Sequence, residues 1–347
     1  LRSGLGVDMK ALRVHGPKLI KFDEVDEPQI EPDEVLLRVK YAGICGTDLH
    51  VYRGAMKDRV KYPAIPGHEF SGVVVKVGPK VTWVSEGEEV AANPVVPCGR
   101  CVACLSGRPN VCVNFKILGV DIPGVFAEYV KVKGDKIYKI PKGLSLRDAA
   151  LVEPFSVAVH SCRKANIEVG DVVVVIGQGP IGLCTTQVAK HYGAYKVITV
   201  DVVGSRLELS KKLGADEVVN PLETDPVKVV KELTNGVGAD KVIETSGAPQ
   251  VLNQALSMLR PAGRLVVVGL CFEEVKFFSY PIVYKEAEIV GSRVYIDEFA
   301  RTLNLMSKGY LKPEPLITHE MSLSDGEKAF KILDEKPGEA VKILLRP

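Results

Sequence analysis

The chain has 347 residues, 46% of them hydrophobic and 25% charged, so it can bury a sizeable core, and at roughly 150 residues per domain it should form about two domains. With 45 Lys and Arg against 43 Asp and Glu the formal charge is only +2, and no long run of like charges occurs, which argues against nucleic acid or an anionic membrane surface as partner. The longest apolar runs, Val172 to Ile176 and Leu265 to Val268, fall far short of the ~20 residues that span a bilayer.

No charged and then apolar leader opens the chain, so the cytoplasm, where thiols stay reduced, is the expected compartment. The first eight residues, LRSGLGVD before Met9, read as a translation artefact and are set aside. Short strands with Gly and Pro turns come next: Glu34 to Tyr41 alternates as EVLLRVKY, and Ser71 to Val77 reads SGVVVKV before the turn Gly78-Pro79. This first stretch reads as mostly β.

Four of the eight cysteines, Cys98, Cys101, Cys104 and Cys112, then follow as C-x2-C-x2-C-x7-C among loop residues such as Pro97, Gly99, Gly107 and Pro109. Four soft thiolates can close a tetrahedral zinc shell with no open position, which makes the site structural. Cys162, Cys184 and Cys271 lie in or beside core-like segments and read as small buried hydrophobes.

From about Gly170 the rhythm changes to βα units: DVVVVIG then GPIGLCTTQVAKHYG, KVITVD then SRLELSKKLGAD, KVIETSG then PQVLNQALSMLRPAG, and finally RLVVVGL. Continuous apolar strands alternating with helices imply an α/β fold with a doubly wound parallel sheet covered on both faces. After about Tyr295 come one amphipathic helix, Glu298 to Lys308, Pro-containing loops and a last strand in VKILLRP.

Gly177, Gly179 and Gly182 spell G-x-G-x-x-G directly after a strand and at the start of a helix. The first allows a tight turn, the second lets a pyrophosphate approach the backbone, and the third lets helix and strand pack closely. The phosphates would lie at the helix N-terminus. Asp201 ends the next strand, 19 residues past Gly182, placed to accept hydrogen bonds from both ribose hydroxyls; a carboxylate there repels a 2′-phosphate and favours NAD over NADP. Arg206 complicates this, since it could flank the adenine or meet a 2′-phosphate. Pro180 and Ile181 within the motif, and Val268, Gly269 and Leu270 closing RLVVVGL, are counted with the cofactor site.

A second donor set is dispersed: Cys45 in GICGTDLH, His68 and Glu69 in PGHEF, and Glu153 in LVEPF. Thiolate, imidazole and carboxylate are all zinc ligand types, and fewer than four bound at once leaves a position for a substrate oxygen. All four stand beside Gly or Pro turns. His15, His160, His191 and His319 have no such company and read as ordinary.

GICGTDLH, GHEFSGVVVKVG, the cysteine cluster, FAEY, LVEPFSVAVH and VVVIGQGPIG, in that order from Met9 to the C-terminus, resemble the zinc-containing medium-chain alcohol dehydrogenases, in the branch of the sorbitol (polyol) and threonine dehydrogenases. The resemblance implies a GroES-like β-rich catalytic domain over 9–155, completed by 296–347, and a Rossmann coenzyme domain over 156–295, with the active site in the cleft between them. It implies two zinc ions per subunit, one catalytic and one structural. Cys45 and His68 match the invariant ligands, Glu69 matches a ligand or near neighbour, and Glu153 stands where alcohol dehydrogenases have a third ligand cysteine. Thr47 matches the hydroxyl that takes the substrate proton and His50 the histidine that passes it on; Asp48 is expected to order the loop. The expected reaction takes a hydride from a secondary alcohol to NAD.

Two departures count against threonine: VYRGAMKDRVKYP after His50 lacks the Trp-rich insertion of threonine dehydrogenases, and VYIDEFA follows GSR. A polyol or sugar-derived substrate is favoured, with L-threonine or an aldonate as alternatives. Arg293 could bind a hydroxyl, carboxylate or phosphate, and an Arg suits a carboxylate best. Phe126 and Tyr52 could wall the pocket or belong to the core. The resemblance suggests a homo-oligomer, a tetramer before a dimer, paired through the coenzyme-domain sheets. A non-catalytic NAD- and zinc-binding redox sensor is the distant alternative, disfavoured because every ligand and relay residue is present.

Overall fold

The computed structural model describes residues 8–336 and 338–347, and these divide into two compact units, one of 8–153, 299–309 and 316–347, the other of 154–298 and 310–315. Of the eight residues set aside at the start, the first seven lie outside the described residues, but Asp8 already opens the first strand.

In chain order the first unit begins with the hairpin β1 (Asp8–Gly16) and β2 (Leu19–Asp26), then β3 (Glu34–Gly43), α1 (Gly46–Arg53), β4 (Glu69–Val77), β5 (Glu89–Ala92) and β6 (Val95–Val96). A short α2 (Val102–Leu105), β7 (Lys116–Ile117), β8 (Tyr129–Lys133), β9 (Ile137–Lys139) and α3 (Leu146–Ala149) complete this part. The alternation in EVLLRVKY does place a strand, and it runs two residues further, to Gly43. Chain passes to the second unit within α4 (Val152–Ala165), whose Pro154 stands in the first turn, where a missing N–H costs nothing.

The second unit follows as β10 (Val172–Ile176), α5 (Pro180–His191), β11 (Lys196–Val200), α6 (Gly204–Lys212), β12 (Glu217–Val219), α7 (Pro226–Leu233), β13 (Ala239–Glu244), α8 (Val251–Met258), β14 (Leu259–Val267), α9 (Tyr280–Lys285) and β15 (Glu288–Gly291). All six strands are parallel, in the order β12-β11-β10-β13-β14-β15, the doubly wound arrangement in which a dinucleotide binds where the order reverses. Val173, Val174, Val175, Val242, Ile243, Leu265 and Val266 are all buried, because helices cover both faces; each such side chain contributes about 1.5–3 kcal/mol. The expected helix through LRPAG stops at Met258 instead, and Leu259 to Gly263 already belong to β14. Pro261 accounts for this, since the residue before a proline is driven out of the helical region.

The chain returns to the first unit with α10 (Glu298–Ser307), β16 (Ile317–Ser322), α11 (Gly326–Glu335) and β17 (Lys342–Arg346). The sequence predicts one helix here; α11 is a second, on which Ala329 and Phe330 are fully buried. The larger sheet runs β16-β17-β3-β4-β5-β9 with β8 also on β3, so β17 lies directly beside the strand that leads into Cys45.

Candidate active site

Cys45 stands at the N-cap of α1, and Glu69 opens β4 directly after His68. Asp48, wholly buried in the first turn of α1, fixes both turns: Oδ2 accepts the N–H of Cys45 at 2.8 Å and Oδ1 accepts the N–H of Gly67 at 3.0 Å. The expectation that Asp48 orders this loop matches these bonds. Its Oδ1 also lies 3.7 Å from Nδ1 of His68, too far for a hydrogen bond but close enough for the two charges to act on each other.

The Cys45 sulfur, a ring nitrogen of His68 and a carboxylate oxygen of Glu69 all lie within 4.8 Å of one another. Glu153, buried in the first turn of α4, stands outside that triplet but close enough to act on His68. Burial works against a charge on His68, yet Asp48, Cys45 and Glu153 pull its pKa well above the imidazole range. Burial first, then Glu69 and Asp48, push the Glu153 carboxyl up to about 7. A thiolate, an imidazole and carboxylates so placed fit a zinc ion.

Thr47 and His50 lie three apart on α1 and so share a face. Desolvation, and then Arg53, lower the pKa of the half-buried His50, which keeps its ring neutral near neutral pH and makes any proton it accepts quick to leave.

Cys98, Cys101, Cys104 and Cys112 also come together within 4.8 Å. The sulfurs of Cys101 and Cys104 are 3.5 Å apart, and Cys112 accepts the N–H groups of Cys98 at 3.2 Å and Asn114 at 3.3 Å. Backbone N–H groups of Cys104 and Val113 bring the Cys101 thiol down to about 6, toward the thiolate a metal requires. This donor set fits a closed zinc shell.

In the second unit the glycine turn joins β10 to α5. Gly177 has φ +87°, and a Cβ on Gly182 would lie 1.8 Å from the Gly177 carbonyl oxygen, so neither tolerates a side chain. The space in front of Gly179 is open to 4 Å, room of the kind a pyrophosphate needs, and Pro180 and Ile181 begin the helix whose N-terminus would face it. Asp201 accepts N–H bonds from Gln178 at 2.5 Å and Val203 at 2.8 Å, which locks its carboxylate against the turn. Arg206 lies in α6, just beyond. Val268 and Gly269 donate to the Glu244 carbonyl, and Leu270 is exposed beside them. These residues fit a dinucleotide.

Two of the three substrate candidates are buried in the core. Phe126 is fully buried and packs edge-on to Phe330 with centroids 6.0 Å apart, while Tyr52 lies tilted 5.3 Å from the same ring; both are core. Arg293 is exposed after β15. His160 pairs with an acid in the second unit: its Nδ1 is 2.8 Å from Oε1 of Glu298, which also accepts Arg163 at 2.6 Å. Two groups escaped the sequence reading. Lys342 is bound to Glu69, and Gln178 is buried with Nε2 donating to the Gly177 carbonyl at 3.0 Å and Oε1 accepting the Thr186 hydroxyl at 3.0 Å. A lysine inside the apolar run KILLR was the one available signal for the first.

Residues 31–142 match the alcohol dehydrogenase GroES-like domain and residues 180–308 the zinc-binding dehydrogenase domain. The chain is 40% identical to the L-threonine 3-dehydrogenase of Bacillus licheniformis, over 98% of its own length and 99% of that protein, and 35% identical to the sorbitol dehydrogenase of Bacillus subtilis, over 98% of each. Among solved structures it is similar to an Escherichia coli alcohol dehydrogenase complexed with NADH, with a TM-score of 0.93 and 36% identity, covering 99% of this chain and 100% of that one. The chain belongs to the zinc-containing medium-chain alcohol dehydrogenase family.

Proposed function

We propose that the protein oxidises a secondary alcohol, a polyol or sugar-derived substrate, to the ketone with NAD as hydride acceptor. The observation that carries this reading is the triplet of half-buried Cys45 with buried His68 and Glu69, and Glu153 close by, a donor set too small to close a zinc shell from the Cys45 turn and the His68 loop alone. When bound, zinc supplies a Lewis acid that lowers the pKa of a hydroxyl, and NAD supplies the acceptor for the hydride. The chain supplies the rest. Thr47 Oγ1 takes the hydroxyl proton, and His50, held neutral by its partial burial, accepts it from there and releases it to solvent. Asp48 fixes the turns, so the ligands need not reorganise during the reaction.

The locked carboxylate of Asp201 supports NAD over NADP, because a 2′-phosphate would meet a fixed negative charge. The four-thiolate site needs reduced cysteines, which supports a cytoplasmic setting. Exposed Phe278, Tyr280 and Tyr284 stack along and beside α9, and Ile289 is exposed on the edge strand β15; an apolar edge of this kind supports pairing of coenzyme-domain sheets in a homo-oligomer, a tetramer before a dimer.

A second reading, L-threonine as substrate, is favoured by the 40% identity to L-threonine 3-dehydrogenase against 35% to sorbitol dehydrogenase. NADH formation by zinc-loaded protein across polyols, sugar acids, threonine, vicinal diols and simple alcohols separates the two. Turnover on polyols or sugar acids with little on threonine supports the first; dominant threonine oxidation replaces it with the second.

A further inference from the structure

The C-terminal ends of α5 and α6 and the segment 310–312 surround an open recess of about 380 Å³ in the second unit, with Gln187, Lys190, His191, Lys212, Tyr310 and Lys312 on its walls. That is room for a small organic ligand. His191 is the last residue of α5, which starts at the glycine turn, so 12 residues, or about 18 Å of helix, separate the recess from the place of the coenzyme phosphates. Gln187, buried on α5, donates Nε2 to the Lys312 carbonyl at 3.2 Å and accepts the Lys312 N–H on Oε1 at 2.7 Å. This two-way bond fixes the backbone of an irregular segment against α5, and with it Lys312 and Tyr310. Tyr310 is 60% exposed, and its ring centroid lies 4.8 Å from that of His191. Three ammonium groups meet here, and only one has a carboxylate: Lys190 bonds both oxygens of Asp216, at 3.0 and 2.9 Å, whereas Lys212 and Lys312 have none among the described residues.

We infer that this recess binds a phosphate monoester, its phosphoryl group between Lys212 and Lys312 and its organic part on the rings of Tyr310 and His191. Helix C-termini favour cations, but these two ends do not use the lysines. Backbone N–H groups of Tyr192, Gly193 and Ala194 already bond the last carbonyls of α5, those of Leu213, Gly214 and Ala215 bond the last carbonyls of α6, and Lys312 belongs to neither helix. Two like charges facing one recess repel until an anion joins them. A phosphate monoester carries a charge of about −1.5 to −2 at neutral pH and offers three acceptor oxygens, which suits two ammonium groups; a carboxylate would balance only one. The exposed face of Tyr310 takes a base or the apolar face of a sugar.

Calorimetric titration of the intact protein with AMP, glucose 6-phosphate and inorganic phosphate tests this, with NADH at saturation so that the coenzyme's own phosphate site is filled. At least one of the two esters is expected to bind with a Kd below about 1 mM, and about threefold or more tightly than inorganic phosphate. Lys212→Gln together with Lys312→Gln should weaken that binding about tenfold or more and leave thermal unfolding unchanged, because both side chains are exposed. Tyr310→Ala should remove the advantage of the ester over inorganic phosphate. Neither ester binding below about 1 mM, binding that survives in the double lysine variant, or inorganic phosphate binding as tightly as the esters overturns the inference. So does binding seen only when NADH is left out, since that belongs to the coenzyme site.

Discussion

The carboxylate of Asp48 bonds the N–H of Gly67, 19 residues away, at 3.0 Å, and so joins the turn that presents Cys45 to the loop that presents His68. Neither loop has regular structure of its own at the ligand, so this buried group sets the distance between two donors. Asp48→Ala should leave two buried N–H groups without acceptors, at about 1–3 kcal/mol each, and should lower zinc content at this site. Zinc per chain and denaturant unfolding check both; Asp48→Asn, which retains one oxygen acceptor, should fall between.

The four-cysteine site makes a different prediction. It lies apart in sequence from the Cys45 and His68 turns, and a closed shell does no chemistry, so Cys101→Ala should lower stability while the folded fraction keeps its kcat. Unchanged thermal unfolding in that variant would count against a structural zinc.

Cofactor choice is expected to rest on Asp201. Asp201→Asn removes the charge and keeps one oxygen acceptor, enough for the N–H of Gln178 or of Val203 but not for both. The ratio of kcat/KM for NAD over NADP should drop roughly tenfold or more, the effect of about one unit of charge repulsion at short range. A ratio that does not move would shift the discrimination to Arg206 or elsewhere.

Glu298 predicts an acid-sensitive step in stability. Burial opposes its charge, but bonds from His160 and from the N–H of Ile296 bring its carboxyl down to about 2, below the ordinary 4.5. A carboxyl depressed on folding stabilises the native state above its unfolded pKa and loses that contribution as pH falls through its folded one. Urea unfolding of the wild type and Glu298→Gln should therefore differ by on the order of 1–3 kcal/mol above pH of about 5, and converge as pH drops toward 2. A constant difference across that range would contradict the assignment.

What the sequence revealed was set by how local each signal is. The glycine turn, Asp201 and the clustered cysteines occupy short stretches whose spacing carries its own geometry, and the structure brings the donors of that cluster together. Cys45, His68 and Glu153 are spread over more than a hundred residues, and only the family resemblance joined them beforehand. Lys342 and Glu69 stand 273 residues apart, as His160 and Glu298 stand 138 apart, and no periodicity reports a pair made by topology. α11 carries its signal in four apolar residues, Ala329, Phe330, Ile332 and Leu333, at helical spacing within ten residues, a stretch short enough to read as loop. From sequence Phe126 and Tyr52 read as pocket or core alike; packing against Phe330 on α11 makes them core.

NADH formation by wild type, Cys45→Ala and His68→Ala on the best substrate of the panel, each with its zinc counted and its fold verified by circular dichroism, tests the central claim most directly. Both variants should stay folded, lose one zinc per chain and lose turnover by roughly a thousandfold or more, the worth of several kcal/mol of transition-state stabilisation. Wild-type turnover in either folded variant would contradict a catalytic zinc at Cys45 and His68.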